Sequence, residues 1–113
     1  MHELSIAQVI VAVADTEARK SDATRVSRVV VEVGALAGVV TDSLAFCFPM
    51  ACDGTLVEGA DLCIEAVQAR GWCQSCDEEY TMQELLDTCP TCGGFASELR
   101  AGQELRVRTI DVV

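Results

Sequence analysis

The sequence predicts an α+β fold: two helices on a small three-stranded sheet built from both chain ends, with a four-cysteine module inserted as an excursion. Three observations predict it. Residues 3–20 repeat apolar side chains at helical spacing, whereas residues 25–34, 61–69 and 104–113 are β-branched and strand-like and lie on both sides of a cysteine-rich stretch. The composition then changes at Arg70: from there to Arg100 the chain holds four of its seven cysteines and little aliphatic content. At 113 residues, half of them hydrophobic, the chain is long enough for one packed domain with a small satellite.

Taken in order, Glu3 to Lys20 is the first helix. Ser5, Gln8, Ala12, Asp15 and Arg19 mark its solvent stripe, and Leu4, Ile6, Ala7, Val9, Ile10, Val11 and Val13 make a wide apolar face. Ser21 to Thr24 is a polar break. Arg25 to Gly34 alternates, with Val29, Val31 and Val33 on one face and Arg28 and Glu32 on the other, which is the pattern of a half-buried strand. Gly34 and Gly38 bracket a loop, after which Thr41 or Asp42 can cap a second helix through Leu44, Phe46 and Phe48. Pro49 removes a backbone donor, so this helix is expected to be short or bent. Asp61 to Ala69 is a strand with Leu62, Ile64 and Ala66 on one face, and Glu104 to Val113 is the last. The organisation expected is residues 1–69 plus 102–113 as the α+β domain and 70–101 as the insert.

The insert contains Cys73-Gln74-Ser75-Cys76 and Cys89-Pro90-Thr91-Cys92, two C-x-x-C knuckles separated by twelve residues. Two intervening residues let the backbone turn tightly and aim both sulfurs at one ion. Two knuckles complete a tetrahedral four-thiolate shell, which suits zinc and, being closed, is structural. A redox dithiol at Cys89 and Cys92 and a rubredoxin-like iron site are the competing uses of these thiols. The remaining Cys47, Cys52 and Cys63 read as small buried hydrophobes.

The single histidine is residue 2. The α-amine of Met1, the backbone nitrogen of His2 and its imidazole can close fused five- and six-membered chelate rings around a square-planar ion such as Ni(II) or Cu(II). Both the amine and the imidazole must be deprotonated to bind, so acid weakens such a site.

Charge excludes other classes. Eight Lys and Arg against 18 Asp and Glu give a formal net charge of −10, which counts against nucleic acid and anionic membrane surfaces as partners. One histidine leaves no two-histidine metal motif. The acid at Glu3 and the shortness of the apolar run Val9 to Ala14 speak against a signal peptide or a membrane span. A reducing, cytoplasmic setting is expected, where cysteines serve metals more often than disulfides.

Met1-His2-Glu3-Leu4-Ser5, the Val29-Val30-Val31-Glu32-Val33-Gly34 strand, the paired knuckles and the overall length together resemble the HypA/HybF family of nickel metallochaperones for [NiFe]-hydrogenase maturation. The resemblance implies a non-enzymatic carrier with His2 as principal nickel ligand, assisted by the Met1 amine or the backbone of Glu3, and with Asp42 as a further oxygen donor. It implies transported Ni(II), structural Zn(II) at Cys73, Cys76, Cys89 and Cys92, and two partners: the maturation GTPase HypB and the hydrogenase large subunit. Open sheet edges allow a homodimer. The rival functions are a zinc-ribbon interaction adaptor without exchangeable metal and a rubredoxin-like electron carrier. The recipient, hydrogenase or another nickel enzyme such as urease, is not fixed by these residues.

Overall fold

The computed structural model describes residues 2–113, in the order α1 (Glu3–Lys20), β1 (Val26–Gly34), α2 (Thr41–Cys52), β2 (Asp61–Val67), β3 (Ala69–Cys73), β4 (Glu78–Met82), β5 (Glu98–Ala101) and β6 (Leu105–Val112). The chain forms two compact units. One takes the chain up to Glu32, Val39–Glu65 and Arg106–Val113; the other takes Val33–Gly38 and Ala66–Leu105. Two three-stranded sheets result, β2-β1-β6 and β4-β3-β5. Among the described residues no helix is long and apolar enough to cross a membrane.

In the first unit α1 buries Ile6, Ala7, Ile10, Val11, Ala14 and Ala18, a stripe at three- and four-residue steps. The apolar face is therefore narrower than the sequence predicts: Val9 is 58% exposed and Val13 44%, because a helix lying on one layer buries only the stripe that faces it. Val26, Val29, Val30 and Val31 of β1 are also buried. Val30, at 8% exposure, adds to the expected alternation.

Strands β1 and β6 run antiparallel, since their partners count in opposite directions: the Thr24 N–H donates to the Val113 carbonyl (2.8 Å), the Ser27 hydroxyl donates to the Asp111 carbonyl (3.2 Å), and Arg106 Nε donates to Glu32 (3.0 Å). Arg108 pairs with Glu65 in the same way across to β2.

Helix α2 buries Leu44, Phe48 and Cys52, one residue per turn, and continues through Pro49 to Cys52. Pro49 leaves the Ala45 carbonyl without its i+4 donor, and separately the helix end is capped by Thr55, whose N–H (3.0 Å) and hydroxyl (2.7 Å) both donate to the Cys52 carbonyl. Phe46 is 80% exposed because it lies two residues, about half a turn, from both Leu44 and Phe48. The expected cap differs as well. The N-cap is Val40, which has no side-chain oxygen, rather than Thr41 or Asp42.

Asp15, placed on the solvent stripe, joins two elements. Its carboxylate accepts from Arg19 Nε (2.9 Å) and from the Leu56 N–H beyond α2 (2.9 Å). The Arg19 bond first, and the Leu56 bond second, hold this carboxyl below its usual value. A depressed carboxyl contributes stability above its unfolded pKa, and that contribution is lost as pH falls through the folded value. Thermal unfolding should therefore show Asp15→Asn less stable than wild type near neutrality. The gap should close below about pH 4.

The second unit has a small core: Ala69, Cys73, Tyr80, Met82 and Cys89 are buried, with Leu36, Cys76, Ala96 and Leu99 packed against them. The segment read as one strand, Asp61 to Ala69, ends at Val67, and Ala69 opens β3 of the other sheet. Strand β3 pairs antiparallel with β4 (Gly71 opposite Tyr80) and with β5 (Trp72 opposite Glu98). Gly34 and Gly102 meet closely in this unit: a Cβ on Gly34 would collide with the Gly102 carbonyl and lie 2.7 Å from Gln103 N, and Gly102 itself has φ 118°. Only glycine fits there.

Candidate metal sites

The first knuckle is the turn of the β3–β4 hairpin. Cys73 ends β3, Gln74, Ser75 and Cys76 make the turn, and Asp77 adopts a left-handed φ of 53° before β4 begins at Glu78. The second knuckle repeats this plan. The Gly93 N–H donates to the Cys89 carbonyl and the Cys89 N–H to the Gly94 carbonyl, both at 2.8 Å, and Thr88 and Phe95 pair across its base. Gly93, the residue after the last cysteine, has φ 76°. Each loop thus closes with a left-handed residue directly after its second cysteine, a conformation open to glycine and tolerated by aspartate. Gly93 is legible in the sequence as the permissive position; its counterpart Asp77 is not, because aspartate is more often an ordinary polar residue.

The turns bring the four sulfurs of Cys73, Cys76, Cys89 and Cys92 within 4.8 Å of one another. Cys73 Sγ lies 3.5 Å from Cys92 Sγ, and Cys89 Sγ 4.0 Å from Cys76 Sγ. A disulfide would need about 2.0 Å. A tetrahedral ion with metal–sulfur bonds of ~2.3 Å spaces its sulfurs by about 3.8 Å. The observed separations bracket that value, so the four residues fit a four-coordinate thiolate site.

Backbone donors favour the thiolate form. The Cys89 thiol is lowered to about 7, first by the Cys92 N–H and then by the Thr91 N–H working against burial. Cys76 is pushed up to about 12 by its bond with Cys92 and by burial. The Gly94 N–H also points at Cys92 Sγ (3.4 Å). Around the site, Asp87 accepts from the Gln83 (2.8 Å) and Glu84 (3.1 Å) N–H groups, and its carbonyl accepts from the Tyr80 hydroxyl (3.0 Å). Thr91 Oγ1 donates to Glu78 (2.9 Å), tying the second knuckle to β4. Sequence reading missed Asp87, Tyr80 and Thr91, whose roles depend on contacts across the hairpin.

The other cysteines divide. Cys52 is buried, and burial pushes its thiol up to about 11, as expected of a core residue. Cys47 and Cys63 are only half-buried. Cys63 lies beside Arg28, and that neighbour is the main cause holding the guanidinium pKa above its usual value.

At the other end of the chain, Met1 lies outside the described residues. His2 is the N-cap of α1, with extended backbone (φ −79°, ψ 147°), and its carbonyl accepts the Ile6 N–H at 3.1 Å. Its side chain makes no capping bond and is exposed. The imidazole is therefore not spent on the helix. Glu3 Oε2 accepts the Val40 N–H at 3.3 Å, and Asp42 lies exposed in the first turn of α2. Among the described residues His2, Glu3 and Asp42 do not converge as a preformed three-ligand cluster; the four cysteines do.

Comparison with known proteins gives one answer. Residues 1–112 match the family model described as "Hydrogenase/urease nickel incorporation, metallochaperone, hypA". The chain is 45% identical over 113 residues to the hydrogenase maturation factor HypA of Geotalea daltonii, covering 100% of both chains. It is 42% identical to that of Geotalea uraniireducens over 99% of each. The solution structure of the Ni metallochaperone HypA from Helicobacter pylori shares the fold, with a TM-score of 0.68 at 22% identity over 100% of this chain and 98% of that one.

Proposed function

The chain belongs to the HypA family, and from that premise we propose that it binds Ni(II) at its amino terminus and delivers it for [NiFe]-hydrogenase maturation. It carries no catalytic step of its own in this reading. His2 is the principal ligand, with the Met1 amine and the backbone at His2 and Glu3 adjacent, and Asp42 a candidate oxygen donor. HypB and the hydrogenase large subunit are the partners that would release and receive the metal. The observation that supports this most directly is the exposed His2 at the head of α1, free of any capping bond. An incomplete, solvent-facing nitrogen set suits an ion that must be handed on, since an open position admits an incoming ligand.

Cys73, Cys76, Cys89 and Cys92 would hold Zn(II) in a closed shell, and the bound ion would cross-link the two knuckles. With all four positions taken by thiolates, that ion is retained rather than exchanged.

Nickel titration of untagged, zinc-loaded protein tests the reading. One Ni(II) per chain is expected, lost in His2→Ala while zinc content and helicity stay unchanged. Wild-type nickel binding by that variant would overturn it.

A further inference from the structure

We propose that Glu3 is a positioning residue for the nickel site, its carboxylate serving as an external cap on α2 that fixes the chain at His2 against the start of that helix. The proposal rests on the amino-terminal nickel reading above and deepens it. Helix α2 begins badly by its own means. Its N-cap, Val40, has no side-chain acceptor, and no capping bond is made from it. In a capping box a Glu three residues into the helix reaches back to the N-cap N–H. The residue at that position here is Ser43, which is too short to do so. Glu3, thirty-seven residues earlier, makes the bond instead, Oε2 accepting the Val40 N–H at 3.3 Å.

Glu3 is also the first residue of α1. Its side chain therefore lies at the N-terminal ends of two helices, where unpaired N–H groups need an acceptor oxygen. His2 precedes it directly and Asp42 is the second residue of α2. One hydrogen bond thus joins the segment carrying the principal ligand to the segment carrying the candidate oxygen donor. The carboxylate acts through Val40 and not on the metal. This role accepts glutamine in place of glutamate, whose amide oxygen can take the same N–H, whereas a ligand or a charge-reading contact would not.

Amide exchange at Val40 and nickel titration on wild type, Glu3→Ala, Glu3→Gln and His2→Ala test it. In metal-free protein Glu3→Ala should speed Val40 exchange by about fivefold, the usual effect of losing a cap, and Glu3→Gln should recover most of the protection. Nickel affinity should fall by ~10-fold or more in Glu3→Ala, as for other lost supports of metal ligands. Glu3→Gln should recover it and keep the wild-type nickel d–d absorption. Unchanged Val40 exchange in Glu3→Ala overturns the proposal. So does a Glu3→Gln variant as weak as Glu3→Ala, or one with a shifted nickel spectrum, either of which makes the carboxylate itself the ligand. His2→Ala separates the two readings: retained nickel affinity there refutes the amino-terminal site, while Val40 exchange still decides the cap.

Discussion

Cys89→Ser is expected to lose zinc and to unfold the second unit while α1 and α2 stay helical. The reason is the size of that unit's core. Of the five residues in its hydrophobic core cluster, Ala69, Cys73, Tyr80, Met82 and Cys89, two are proposed metal ligands. What remains is one alanine, one tyrosine and one methionine, far too little apolar area to hold about 45 residues against chain entropy. Structural zinc supplies ~10–16 kcal/mol in small domains near pH 7. Serine keeps the volume but does not ionise as a thiol does, and it leaves a three-ligand site that binds more weakly. Trp72 is the natural reporter, since it precedes Cys73 on β3 and Arg100 stacks on its ring at 4.2 Å. Its emission should shift to the red in Cys89→Ser, and zinc should be absent by elemental analysis. Far-UV helicity should remain, because both helices belong to the first unit. Retained zinc at wild-type stoichiometry would sink the four-thiolate assignment.

The acid behaviour of the same site has a definite sign. Zinc binds thiolates, so the loaded state carries fewer protons than the free one and acid releases the metal. Cys89, lowered to about 7, gives stability that is present above its usual thiol value and lost as pH falls through about 7. Cys76, raised to about 12, works oppositely in metal-free protein, favouring the folded thiol until pH rises toward that value. Binding zinc near neutrality therefore expels the Cys76 proton, and affinity should rise with pH.

How much of this was open to sequence reading depends on the range of the interaction involved. The knuckles, α1, the Val-rich β1 and the family itself rest on short motifs and local periodicity, and these stand. What the residues could not disclose is long-range. Val40 looks like a loop valine until Glu3 is brought to it from 37 residues earlier in the chain. Asp15 looks like a surface acid until Leu56 arrives. The apolar face of α1 is wider in the sequence than in the fold because valine is valine whether or not a neighbour covers it. Pro49 suggests a short or bent helix by a local rule, yet α2 runs on to Cys52, where Thr55 from beyond the helix caps the last carbonyl. The second sheet was hidden for a related reason: its strands are five, five and four residues long and have almost no aliphatic alternation to reveal them.

Adding two residues, Gly-Ser, before Met1 is expected to weaken nickel binding by more than 100-fold without touching a side chain. If the α-amine of Met1, the His2 backbone nitrogen and the imidazole bind together, they form fused five- and six-membered rings, and the amine anchors one end. Extension converts that amine into a peptide nitrogen, which must lose an amide proton to bind and is a far poorer donor near neutral pH. It also moves the new amine two residues away, where it can no longer close a five-membered ring. Loss of a group that merely hydrogen-bonds a metal ligand costs ~10–100-fold in metal affinity, so loss of a chelating donor should exceed that range. The fold should not respond. Helix α1 starts after His2, and its first backbone bond, from Ile6 N–H to the His2 carbonyl, lies downstream of the added residues. Zinc content, helicity and Val40 exchange should therefore match wild type while the nickel isotherm collapses. If the extended chain bound nickel as tightly as the native one, the amine would leave the ligand set. The imidazole of His2 would then have to find its partners among the Glu3 backbone and Asp42, the exposed donor at the start of α2.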